Sequence, residues 1–584
     1  MLSRGGGGGA PLEAGDQGEV SASDAEYPFD LGTYERADVK ARFPATVQWF
    51  QRGLNWTFAF HHEEAIRCFE RALAREPDFA LAYWGISICH SPNYNVHTRN
   101  GYYKISNQPT GFPSMKTAYD SIQQALKFKH MLNSEGLALV EAQRLRCMWP
   151  CNDFCHLLLQ PYSDALRLVH VAYPHDEDVA CLFVESLIQL SPWELFDMRT
   201  GAAAPQVEET IKVLSRALER APRHPGLCHL AVHIFEMSPM VHAALPQADL
   251  LREGLVPDAG HLLHMPAHLD VQLGAYGAAI ATSERAVVAN NKYLAYAARR
   301  QRDEFRLYIG YIAHDLHMMC HAAAMGGVRA KALLAGQRLR AFVAEQLRRY
   351  RERAVDLDLF HSALFEVFVR FGMWREILEE PLLQDEELFC ASNAVLRYAR
   401  GLAFAAVGEL DKARKEQAAF EEARTREMVY RRVQHNNNGT ELFAVDSEVL
   451  AGEIKYRSGE DFEAAFAHLR RAVLLEDLLP FDEPPGKLFP TRHALGALLL
   501  EQRRYDEAEA VFRDDLRRYP RNPWALVGLC NCLANKRSAT VQDEQEQEEE
   551  RVLLKRELDQ AMLLSDCEIN HSCACAGLRI LARA

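Results

Sequence analysis

The chain has 584 residues, more than one compact core ordinarily holds, so several domains or a repeat array is expected. Hydrophobic residues make up 48% and charged residues 25%; a formal net charge of −14 without a long basic cluster sets nucleic acid and anionic membrane aside as partners. No run of about 18 apolar residues occurs, so no transmembrane helix is expected.

Residues 1–26 are Gly-rich, carry early acids and lack the apolar stretch of a secretory signal; they read as a disordered leader. Fourteen cysteines are scattered, several within apolar helical runs such as Cys68, Cys89, Cys181 and Cys320. That usage suits reduced thiols and a cytoplasmic setting. A repeat then emerges. Gly53, Trp56, Ala65, Phe69, Ala72 and Pro77 have the spacing of a tetratricopeptide repeat, and Leu495, Gly496, Tyr505, Ala508, Phe512 and Pro520 have it again. Partial copies lie at Gly274, Tyr276, Ala279 and Ala286, at Gly408, Leu410, Ala413 and Phe420, and at Ala465, Leu469 and Ala472. Small residues let two antiparallel helices approach, an aromatic fills the gap, and proline ends the second helix. The predicted fold is all-α, a right-handed superhelical solenoid of tetratricopeptide-like helix pairs over residues 27–535, with an irregular insertion near 91–150. Residues 536–584 read as an acidic insertion followed by a C-terminal helical cap.

Histidines keep step with this repeat. His261, His264 and His268 form His-x2-His-x3-His, as do His314, His317 and His321, and each triplet begins thirteen residues before a turn glycine, Gly274 or Gly327. HLAVHIFE adds His229, His233 and Glu236. Steps of three and four share a helix face, so three apparently successive repeats present these side chains together. Glu185 falls at a comparable place in a shorter repeat. Adjacent helix axes lie roughly 8–10 Å apart, which lets side chains from neighbouring first helices meet. Mixed imidazole and carboxylate donors suit a transition metal ion, copper or iron favoured and zinc possible, and eight histidines are enough for two ions or for outer supports. A lone helical histidine is more often structural, and His61 and His62, in a turn before Glu63, are read that way.

The chain resembles a family of largely uncharacterised tetratricopeptide-repeat proteins from bacteria and eukaryotes. The resemblance runs from about Phe43 to Ala534 and rests on HEEAIRCFERAL, AYWGISICHSPNYN, HLAVHIFEMSP, VPDAGHLLHMPAHLDVQLGAYGAAI, AHDLHMMCHAAAMGG and DEPPGKLFPTRHALGALL. It implies a helical scaffold whose inner face carries the histidine-rich segments, with His321 the member peculiar to this chain. The segment Asp482-Glu483-Pro484-Pro485 also resembles a recurrent feature of that family, a loop able to close over the groove. Glu483 is then a candidate proton acceptor or ligand, weighed against a rigid turn. Trp84, Asn93, Tyr94, Trp193 and Glu194 are candidates for the opposite wall.

The expected function is a metal-dependent enzyme, an oxidoreductase, acting on a small molecule or peptide in the concave groove. His229, His233, His261, His264, His268, His314 and His317 are the expected metal ligands, with Glu236 and Glu483 in catalytic roles. The alternative is an adaptor holding a peptide or protein partner in the same groove.

Overall fold

The computed structural model describes residues 27–96, 113–150, 155–300, 308–536 and 541–577; the expected leader lies outside them. The regular structure of the described chain is almost wholly helical, its one sheet being the antiparallel pair of two-residue strands Val433–Gln434 and Asn437–Asn438. Helices pack in sequence-adjacent antiparallel pairs: Pro44–Phe58 on His62–Arg75, Tyr308–Met325 on Arg329–Arg349, Glu386–Ala406 on Leu410–Arg424, Gly439–Ser458 on Phe462–Asp477. Their starts are written locally. The side chains of Asp176, Asp461 and Asn522 accept from the backbone N–H groups of Val179, Ala464 and Ala525 at 2.8, 2.9 and 2.8 Å, and Pro44, Pro225 and Pro523 sit in first turns.

Close packing explains the repeat signature. The buried ring of Phe69 lies between Gly53 and Gly85; a Cβ at either glycine would stand 2.4 or 2.5 Å from a ring carbon. Phe512 is held the same way between Gly496 and Gly528, at 2.5 and 2.3 Å. Three successive helices are thereby pinned by one aromatic. Phe512→Ala is expected to cost about 3–5 kcal/mol locally, because the flanking glycines have no side chains to fill the void. Amide hydrogen exchange should show faster opening of residues 492–535 while the N-terminal pairs keep their protection.

The array also winds back on itself. Trp524 Nε1 donates to the carbonyl of Ala324 at 2.9 Å, and the Pro520 carbonyl abuts Gly274, where a Cβ would meet it at 2.1 Å. The N-terminal segment crosses in the other direction: Phe29 packs on Trp56, Tyr293 and Tyr296, and the backbones of Asp30 and Asp258 are joined through the Asp258 N–H at 3.0 Å. Burial of the inner wall follows from these contacts.

The remaining segments take up local structure of their own. The stretch near 91–150 holds the helices Met115–Lys127 and Ser134–Arg146, started by Ser114 and Asn133 caps; residues 97–112 lie outside the described set. The acidic run belongs to a single helix, Val541–Met562. Cys573 and Cys575 are joined in a disulfide, whereas ten other described cysteines are free. No helix among the described residues is long and apolar enough to cross a membrane.

Buried histidines away from the inner wall make stability pH-dependent. His90 accepts the Ser114 N–H at 3.0 Å, and His361 Nδ1 lies 3.2 Å from Ser392 Oγ. Burial holds each down to about 3. The unfolded chain, with imidazoles near 6.5, binds protons that the folded chain refuses. Their contribution is therefore full above pH 6.5 and is lost as pH falls from 6.5 toward 3, on the order of 3 kcal/mol each by pH 4. The fall in Tm between pH 7 and pH 4.5 should be shallower in His361→Asn than in the parent.

Candidate metal centre

The inner wall is built by first helices of successive pairs. Pro225–Phe235 carries His229 and His233, with Glu236 just beyond its end; Gly260–His264 and Pro266–Gln272 carry His261, His264 and His268; Tyr308–Met325 carries His314, His317 and His321. All eight imidazoles are buried, at 0–7% exposure, so they do not line an open groove. His61 and His62 are buried too; His61 stacks on Tyr308 at 3.6 Å.

Six of the expected ligands separate into two trios. In one, Nε2 of His264 lies 2.8 Å from Nε2 of both His268 and His314, and those two are 3.3 Å apart. In the other, His229, His233 and His261 offer ligand atoms within 4.8 Å of one another. The trios are neighbours, with His233 and His268 ring centroids 6.0 Å apart and His261 and His264 6.3 Å apart.

Several outer nitrogens face partners on the far side from the trios' centres. His268 Nδ1 faces Glu236 Oε2 at 2.7 Å and is also paired with Glu483; His264 Nδ1 faces Asp315 Oδ1 at 3.4 Å; His314 Nδ1 faces His435 Nε2 at 3.0 Å. His229 Nδ1 donates to the Phe58 carbonyl at 2.7 Å, and His233 Nδ1 faces Glu236 Oε1 at 3.0 Å. Glu236 thus joins the trios, one oxygen to each. A neutral imidazole that donates through Nδ1 presents a lone pair at Nε2. His268 and His314 can therefore direct Nε2 lone pairs toward His264 Nε2 in the first trio, while His264 Nδ1, Nε2 of His229 and His233, and both nitrogens of His261 have no hydrogen-bond partner despite burial.

These residues fit a metal. Two nitrogens each about 2.0–2.1 Å from one ion stand about 2.9 Å apart at a right angle and about 3.4 Å apart at the tetrahedral angle, the span of the first trio. The second trio is looser and needs a small inward ring movement. Carboxylates or carbonyls behind ligating imidazoles are the usual support. Charge points the same way. Burial, then the neighbouring Glu483 carboxylate, pushes Glu236 well above the usual range; burial pushes Glu483 up to about 8, and burial with neighbouring imidazoles holds His264 and His314 well below 6.5. A cation supplies the charge that this pocket otherwise refuses.

Aromatic rings wall the centre. Phe60 lies 4.4 Å from His229, Tyr94 4.9 Å and Trp193 5.8 Å from His233, and Tyr311 4.5 Å from His261. Tyr94 and Trp193 were expected there. Asn93 instead meets His62, its Nδ2 3.4 Å from Nδ1, and Glu185 accepts from Gln189 at 3.0 Å, joining neither trio. His317 is also outside them, its Nε2 3.2 Å from Gln434 Nε2, and His321 Nδ1 donates to the Leu488 carbonyl at 2.8 Å.

Sequence reasoning missed His435, Asp315 and Phe60. Asp315 follows His314 in a helix otherwise apolar around the histidines, which is a readable signal; His435 sits in the short hairpin at φ 49°, where no helical period points to it.

No protein-family model matches the chain, and no curated protein does. Among solved structures, yeast Tom70 is similar at 12% identity over 89% of this chain and 92% of that one, with a TM-score of 0.24. The Cut9-Hcn1 hetero-tetramer of APC/C is similar at 11% over 88% and 96%, also with a TM-score of 0.24. The fold class is carried by the chain's own packing, adjacent antiparallel helix pairs with an aromatic ring locked between glycines, and that architecture is tetratricopeptide-like.

Proposed function

We propose that this tetratricopeptide-like scaffold holds transition metal in its two histidine trios, copper or iron before zinc, and works as a metal-dependent oxidoreductase on a small molecule. The observation that supports it is the convergence of three buried Nε2 atoms at 2.8, 2.8 and 3.3 Å, with the other nitrogen of each ring turned to an outer partner. All-imidazole donor sets suit copper, iron, nickel and zinc, and three ligands leave positions open for a reactant. Bound copper or iron supplies one-electron chemistry. The chain's part is to orient six imidazoles, to keep bulk water from them, and to hold a proton between the Glu236 and Glu483 carboxyls. Burial of the trios suits a reactant of a few atoms rather than a peptide.

Elemental analysis of protein produced with copper, iron and zinc supplied tests this, beside oxygen-uptake measurements with simple reductants. About two ions per chain together with reductant-dependent turnover support the reading; zinc alone without turnover removes the oxidoreductase part. Folded protein that takes up none of these ions rejects it entirely.

The second reading is an adaptor for a protein partner, favoured by the repeat architecture, since stacked helix pairs commonly present extended binding surfaces. Because the histidines are buried, the partner would engage outward-facing helices. Metal-free, correctly folded protein is the result that leaves this reading in place.

A further inference from the structure

A line of oxidisable rings leads away from the histidine trios. By ring centroids, Tyr311 lies 4.5 Å from His261, Tyr308 lies 5.8 Å from Tyr311, and Tyr293 lies 5.6 Å from Tyr308. A polar route from the other trio reaches the same ring. His264 Nδ1 faces Asp315 Oδ1 at 3.4 Å, Asn290 Nδ2 donates to Asp315 Oδ2 at 2.5 Å, and Tyr308 Oη donates to Asn290 Oδ1 at 2.8 Å. Tyr308 is therefore the point where paths from both trios meet, and it passes on to Tyr293. Both rings are buried.

Tyr308 meets a neutral amide, whereas Tyr293 has a base at its hydroxyl. Tyr293 Oη donates to Glu64 Oε2 at 3.1 Å and accepts from Arg67 Nη1 at 3.0 Å. Tyr27 donates to the other Glu64 oxygen at 3.2 Å, and Arg67 pairs with Oε2 at 3.2 Å. Both oxygens of Glu64 thus accept, which is the pattern of an ionised carboxylate. Burial, then the Glu64 charge, pushes the Tyr293 phenol well above its ordinary value, so it holds its proton at neutral pH. Removing an electron alone would leave a cationic ring buried beside the Arg67 guanidinium, at a high desolvation cost. The electron leaves readily only together with the proton, and Glu64 stands within hydrogen-bond reach to take it.

We infer that Tyr293 is a redox-active residue that returns one electron to the metal centre after the centre has reacted with a peroxide. The inference rests on metal in the histidine trios. Hydrogen peroxide takes two electrons from the centre and two protons from water, its O–O bond breaks, and it leaves as water. One of those electrons is replaced from Tyr293, through Tyr308 and Tyr311. The phenolic O–H bond breaks, its proton passes to Glu64 Oε2, and a neutral phenoxyl radical remains. Arg67, donating to the same phenolic oxygen, stays in place to hold it. A two-electron oxidant is thereby matched to a metal that changes by one electron at a time.

The test uses the full chain, loaded with copper or iron, its metal content measured, then mixed with hydrogen peroxide and rapidly frozen for electron paramagnetic resonance. The parent should show an organic radical signal that narrows when the chain carries ring-deuterated tyrosine. Tyr293→Phe should lose that signal at unchanged metal content, since it keeps the ring and leaves the Arg67–Glu64 pair. Tyr308→Phe, which interrupts both routes, should lose it as well and carries the test should Tyr293→Phe fail to fold. Tyr27→Phe should retain it. Protein that takes up no metal fails the reading of the trios, and this inference falls with it. Metal-loaded protein without a tyrosine radical, or with one that survives Tyr293→Phe or Tyr308→Phe or is lost in Tyr27→Phe, overturns the inference alone.

Discussion

His268→Ala is expected to lower the metal content from about two ions per chain to about one, leaving the His229/His233/His261 trio loaded. The loss at its own trio should exceed the about 10–100-fold that removal of an outer support costs, because a ligand itself is gone. His268 Nε2 is within 3.3 Å of both partner nitrogens, so no neighbouring side chain replaces it without backbone movement. His233→Ala should give the mirror result. Metal content by elemental analysis, with far-ultraviolet circular dichroism to confirm the fold, checks both; a single mutation that empties both trios, or neither, contradicts two separate centres.

Glu236→Gln should behave differently, weakening both centres at once by about 10–100-fold while leaving every ligand in place. The reason is positional. One carboxylate oxygen faces His233 Nδ1 at 3.0 Å and the other faces His268 Nδ1 at 2.7 Å. An amide keeps the shape but offers one acceptor and one donor, so one imidazole must change tautomer or lose its support. Asp315→Asn is the control, since Asp315 stands behind His264 alone and should affect one centre. Titration of metal-stripped variants reads the two losses separately. Equal effects from Glu236→Gln and Asp315→Asn would remove the bridging role.

Much of this was legible in the residues. Phe69 and Phe512 with their glycines carried the helix pairing, because a packing rule that uses small residues at fixed steps leaves a period in the sequence. The histidine register was legible for the same reason: ligands three and four apart on one helix share a face. Glu483 was readable as a candidate but not as a neighbour of His268, more than two hundred residues away. His435, from a hairpin, left no periodic trace at all.

What the sequence by itself determined is the helix-pair class and the set of histidines on one wall, since both follow from local spacing and side-chain volume. Only the tertiary structure decided that the wall is closed rather than open, that His317 and His321 turn to Gln434 and Leu488, and that six imidazoles divide into two trios joined by Glu236. Those outcomes depend on how far the array curls before residues 520–524 meet residues 274 and 324 and on which loops then cover it. That curvature is the sum of small rotations between successive pairs, and no local run of residues encodes a sum.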